Sequence, residues 1–182
     1  MNNIFIGFIF LLFDFSINLG ESSISLVPSC VGFWLIGKDL AALAGKSPTM
    51  AKTIPWAKAM MVVSAIIWVL NATAIGIGIL GFGAGLIVAL LTFYVTYNIV
   101  VGVKELEAYH QANLQAETLK KAWMMSTVVS IIGAVLSLIP LIGMIVVVAG
   151  IVLNVYFMTC LNQTKKLYEM IPPSMPEWGG EM

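Results

Sequence analysis

Two acids and an amide stand close together: Asp14, Asn18 and Glu21, within the stretch D-F-S-I-N-L-G-E-S-S-I-S-L-V-P of residues 14 to 28. In a helix, Asn18 would follow Asp14 by one turn on the same face, and a carboxylate with such a companion can bind a proton or a sodium ion. Ionisable groups beside apolar runs are functional candidates, because a bare carboxylate at mid-bilayer costs about 2.5 to 3.5 kcal/mol. The helix start at Pro28, Ser29 and Cys30 could turn its positive end towards an anionic group. The competing structural role is that Asp14 caps or ends a short helix at the outer surface.

A second set of polar groups lies deeper in the chain: Thr92, Tyr94, Thr96, Tyr97 and Asn98 in one apolar run, with Asn71, Asn154 and Tyr156 in two others. Tyr94, Tyr97 and Asn98 share a helical face by their spacing and could line a pathway. Hydrogen bonding between helices is the commoner use of such residues, at about 0.6 kcal/mol each. The candidate ion- or substrate-binding set is therefore Asp14, Asn18, Glu21, Asn71, Tyr94, Tyr97, Asn98 and Asn154. No cofactor, metal or catalytic set accompanies it. His110 is the sole histidine, Cys30 and Cys160 belong to no ligand pattern, and the pairs Met60-Met61 and Met124-Met125 lack the partners that copper(I) would need. Neither a P-loop, a nucleophile elbow nor a zinc-protease or dinucleotide signature occurs, so an enzyme is disfavoured.

These groups are held by a very apolar chain. Of 182 residues, 60% are hydrophobic and 10% charged, with 9 acids and 9 basic residues that are all lysines. That composition predicts an all-α fold, a polytopic integral membrane helix bundle with the lipid bilayer as its partner. Zero net charge gives no electrostatic case for nucleic acid. Apolar runs place about six membrane helices: residues 4–19, 26–44, 56–80, 86–103, 122–139 and 144–160. The prolines and lysines of 46–55 read as a loop. Gly81 to Gly85 and Pro140 to Gly143 read as uncharged turns.

Three regions follow. Residues 1–45 form a pair of short helices around a polar apex, either as two short spans joined by an outer loop or as a re-entrant hairpin whose apex stays at membrane depth. Residues 46–170 form a four-helix core of two hairpins, 56–103 and 122–166, joined by a hydrophilic connector at 104–121. The tail, 171–182, holds three prolines and reads as disordered or surface-bound. A weak repeat relates the hairpins, with Val62-Val63-Ser64 echoed by Val128-Val129-Ser130.

Orientation follows from the lysines. Residues 38, 46, 52, 58, 104, 120, 121, 165 and 166 all fall on one side of an alternating six-span path. That side is cytoplasmic by the positive-inside rule, which puts both termini inside a cell membrane. Trp56 and Trp123 enter from the same face, where interfacial aromatics belong.

The opening, I-G-F-I-F-L-L-F-D-F-S-I-N-L-G and then L-V-P-S-C-V-G-F-W-L-I-G-K, resembles the start of small polytopic membrane proteins of low-GC Gram-positive bacteria for which no activity is known. The resemblance covers mainly residues 6 to 40. It implies an Asp- and Asn-rich turn followed by a Pro-Asp pair, and here Ser29 stands where the second aspartate is expected. The expected function is a small transporter or channel-like protein for an ion or small solute. The alternative is a non-catalytic accessory or immunity-type subunit that holds a partner membrane protein or a second copy of itself.

Overall fold

A computed structural model describes residues 1–12, 16–19, 22–25, 29–72, 78–136 and 140–172. Among these the fold is helical, with α1 (Asn2–Leu12), α2 (Ser29–Leu43), α3 (Pro48–Ala72), α4 (Gly78–His110), α5 (Ala116–Leu136) and α6 (Pro140–Glu169). Among the described residues two stretches are long and apolar enough to cross a membrane, Pro48–Leu70 and Ile87–His110.

The largest departure from the sequence reading lies at its polar apex. A single helix was expected over residues 4–19, but α1 stops at Leu12, and two short strands follow, β1 (Ser16–Leu19) and β2 (Ser22–Ser25). They pair antiparallel, with Ser16 opposite Ser25, Ile17 opposite Ile24 and Asn18 opposite Ser23. Serine and asparagine compete with helical backbone bonding, while paired isoleucines favour an extended strand. Asn18 therefore lies in a strand rather than in the expected helix.

Helix boundaries also shift. The expected loop at 46–55 shrinks, because α3 already begins at Pro48. Ser47 caps it by accepting the Met50 N–H at 3.1 Å, and Pro48 occupies the first helical position, where its missing N–H costs nothing. Pro55 falls inside this helix and leaves the carbonyl four residues back without its usual donor. Gly81 to Gly85, expected as a turn, lie within α4, and Pro140 to Gly143, also expected as a turn, form the first turn of α6. Beyond residue 103, α4 continues to His110 and ends on Gln111, whose φ of 50° is the left-handed conformation common after a helix terminus.

Each helix packs on its neighbours in sequence, and α1 returns to α6, so the six form a closed cycle, with β2 laid against α3. The closure includes an edge-on contact between Phe8 of α1 and Phe157 of α6, at 5.3 Å between ring centroids. The core gathers at the end of the bundle that carries the lysines, with Ile4, Phe33, Leu40, Met50, Val103 and Leu161 nearly or fully buried. Farther along α5 and α6 the large apolar side chains are exposed instead, including Ile131, Ile145 and Val152.

Backbones approach most closely where α1 crosses α2. A Cβ on Gly7 would lie 2.6 Å from the Gly32 carbonyl oxygen, and one on Gly32 would lie 2.8 Å from the Gly7 oxygen. Replacing Gly7 with alanine should therefore lower the stability of the purified protein by about 1–3 kcal/mol, the usual result of overpacking. Gly37→Ala, where a Cβ meets nothing within 4 Å, is the matched control and should leave the thermal unfolding midpoint unchanged or higher.

Candidate functional site

Of the residues singled out in the sequence, Tyr94, Tyr97, Asn98 and Asn154 have described side-chain contacts, and these go to different partners. Asp14 and Glu21 lie outside the described residues. Asn18 sits in the middle of β1, and Asn71 in the last turn of α3. Tyr94 and Tyr97, expected to share a lining face, turn to opposite neighbours. Tyr94 meets Trp56 of α3 edge-on at 5.6 Å, and Tyr97 meets Trp123 of α5 at 5.3 Å. Asn98 donates to the Tyr94 carbonyl at 2.8 Å, within its own helix. Asn154 is used between helices, accepting from the Ser126 hydroxyl at 2.5 Å. Thr96 accepts from the Trp123 indole N–H at 3.1 Å. The aromatic pairs thus join α4 to both flanking helices.

At the other end of α1, the chain passes from helix to a two-stranded hairpin rich in serine. The helix contributes about 16 Å of length from its 11 residues, roughly half a hydrocarbon core. β2 then runs against α3. In sequence, one residue separates each of Asp14 and Glu21 from β1.

A polar joint that the sequence reading missed lies at the lysine-bearing end. Glu105, two residues beyond the apolar part of α4, reaches the start of α3. Its carboxylate accepts from the Ser47 hydroxyl at 2.5 Å, from the Thr49 N–H at 3.0 Å and from the Thr49 hydroxyl. Burial by itself would raise the Glu105 pKa, but these hydrogen bonds, aided by the nearby Lys52, hold it below the ordinary carboxylate value. A negative group at a helix amino end is favoured by the exposed N–H groups and the helix dipole. The fit is tight, since a Cβ on Gly102, one turn earlier, would come within 2.5 Å of Met50.

Asp39 of α2 makes a similar joint with α1. Its carboxylate lies 3.1 Å from the Met1 amino group and accepts from the Asn3 side chain at 2.9 Å and the Ile4 N–H at 3.0 Å. Ser47-Pro48-Thr49 announces a helix start in sequence, but nothing local announces that Glu105, 58 residues away, completes it.

Beside these joints lies His110, whose ring stands edge-on to Tyr109 and Tyr168 at 5.0 and 5.6 Å. Its Nε2 is buried without a hydrogen-bond partner. Burial, and then the charge of Lys46, lowers its pKa, so the ring is neutral at neutral pH. Lys46 donates to the Tyr168 hydroxyl at 3.2 Å. Cavities of about 660 and 350 Å³ flank His110, shaped by the end of α6 and by Ile171 and Pro172. On the surface, Lys104 pairs with Glu117 at 2.7 Å. Among the described residues no cluster of three histidine, cysteine or acidic side chains could hold a metal ion.

Comparison of the chain with protein-family models, with curated proteins and with solved structures finds no match.

The two depressed pKa values give the protein a defined response to acid. A histidine protonated more readily when unfolded, and a carboxylate ionised more readily when folded, both make stability fall as pH falls. Thermal unfolding should show a first loss below pH about 6.5, from His110, and a second below about 4.5, from Glu105. His110→Gln should remove the first phase and Glu105→Gln should diminish the second, to which the exposed Glu117, paired with Lys104, adds a smaller part. At pH 7 Glu105→Gln should also destabilise by about 1–2 kcal/mol through the loss of charge-assisted hydrogen bonds.

Proposed function

We propose that this chain is a multi-pass protein of the bacterial cytoplasmic membrane, with its lysine-bearing end and both termini in the cytoplasm, and that it passes an ion or small polar solute across the bilayer. The membrane part of this reading is supported by what the apolar stretches leave uncovered. Only 22% of the window in Pro48–Leu70 and 33% of that in Ile87–His110 is buried within the protein. A core helix of a water-soluble protein would hide most of such a surface, whereas lipid accepts it. Exposed apolar residues on α5 and α6 extend the same surface, and the tyrosine–tryptophan pairs stand towards the lysine end, where an interfacial belt belongs.

The transport part rests on one observation: residues 16–19 and 22–25 pair as serine-rich strands against α3 where a helix would carry the chain on. In hydrocarbon, non-helical backbone persists only where protein covers it or water reaches it, and broken helices are where transporters bind their cargo. The cycle of six helices, sealed by its core at the lysine end, suits a wet vestibule opening to the opposite side. Asp14, Asn18 and Glu21 are then the groups beside the cargo.

A second reading, an accessory subunit that holds a partner, draws on Tyr94, Tyr97, Asn98 and Asn154, whose described contacts tie helices together or lie within one helix. Flux measurements separate the two. Protein reconstituted in liposomes should dissipate a proton or sodium gradient, and Asp14→Asn should abolish that flux. Wild-type liposomes no leakier than empty ones, with a stable membrane partner recovered on purification, would favour the accessory role. Labelling of intact cells should leave Lys46 and Lys104 both unmodified until the membrane is opened. Modification of either from outside would refute the orientation.

A further inference from the structure

We propose that the groove between α2 and α3 at the lysine-bearing end seats an anionic phospholipid, its phosphate held by Lys38 and Lys58 and one acyl chain lying on Phe33, Met61 and Val62. This rests on the membrane reading above, though not on transport. The groove encloses about 490 Å³, a volume within the usual range of small-molecule sites, and its wall is apolar apart from the two lysines. Gly37 lies in the wall, where a Cβ would meet nothing within 4 Å, so the space is open at the helix surface itself.

Charge decides the occupant. Among the described residues the ion pairs join Met1 to Asp39 and Lys104 to Glu117, so neither Lys38 nor Lys58 has a carboxylate partner. Asp39, next in sequence to Lys38, is already committed to α1 through three contacts. The Lys38 ammonium instead lies 3.7 Å from the centre of the Trp34 ring, a weak substitute for an anion. Two cations without counter-ions at the rim of an apolar slot match a phosphate with hydrocarbon beneath it. Basic pockets between helices on the cytoplasmic side take such headgroups, and tryptophan marks the same interfacial level.

Native mass spectrometry of the full chain in detergent tests this, with phosphatidylglycerol or phosphatidylcholine of identical acyl chains as the added lipid. Phosphatidylglycerol should bind at least tenfold more tightly. The double variant Lys38→Gln, Lys58→Gln should weaken it about thirtyfold, the effect of two basic residues beside an anionic lipid, and leave phosphatidylcholine unchanged. Gly37→Leu keeps both lysines, fills the slot and should weaken phosphatidylglycerol as well. Equal binding of the two lipids, or undiminished phosphatidylglycerol binding by the double variant, would overturn the proposal. Carbonate extraction of cell membranes reads the underlying membrane assignment separately: a chain that resists extraction but shows no lipid preference overturns the groove alone.

Discussion

The carboxylate of Glu105 closing on the first turn of α3 is the contact on which the arrangement of the helices depends. It satisfies Ser47 and Thr49 at the one point where the chain must turn sharply between α2 and α3, and it binds that turn to the end of α4. Helices so apolar on every side have little to align them, since one oily face packs about as well as another. A few directional polar contacts therefore do what amphipathic stripes do in a water-soluble bundle. The Asp39 joint sets α1 on α2 in the same manner, and the close crossing of Gly7 and Gly32 fixes their separation.

The two carboxylate joints act at one end. Buried side chains, hydrogen-bonded acids and aromatic pairs gather where the lysines are, while the far halves of α5 and α6 expose isoleucine and valine. In a bilayer such asymmetry would be stable, with lipid solvating the exposed part and the packed end facing water and headgroups. It also leaves room for the hairpin. A serine-rich two-stranded ribbon is marginal alone, and resting on α3 gives it a support that the short α1 and α2 cannot provide.

Lysine-side function need not involve the hairpin at all. Lys38 and Lys58 border an apolar groove, Lys46 is drawn to Tyr168 beside the neutral His110, and Lys104 is paired at the surface. Lysines that look alike in sequence thus have different surroundings: Lys104 is ion-paired, Lys46 and Lys165 reach neutral polar side chains, and Lys38 and Lys58 face the α2–α3 slot.

Composition alone determined the helical class, and the spacing of the nine lysines determined that one end of the molecule is unlike the other, because charge and hydropathy act wherever a residue falls in the chain. Ser47-Pro48 marked a helix start, yet the prolines and lysines around it read as a loop, since propensity cannot weigh Pro55 against the packing that keeps α3 helical. The glycine run at 81–85 misled for the same reason. Only the tertiary structure decided that residues 16–25 pair as strands, that Tyr94 and Tyr97 part company, and that Glu105 belongs with Ser47. Each of those outcomes depends on contacts between groups distant in sequence, and a uniformly apolar chain carries no periodic contrast from which such contacts could be read.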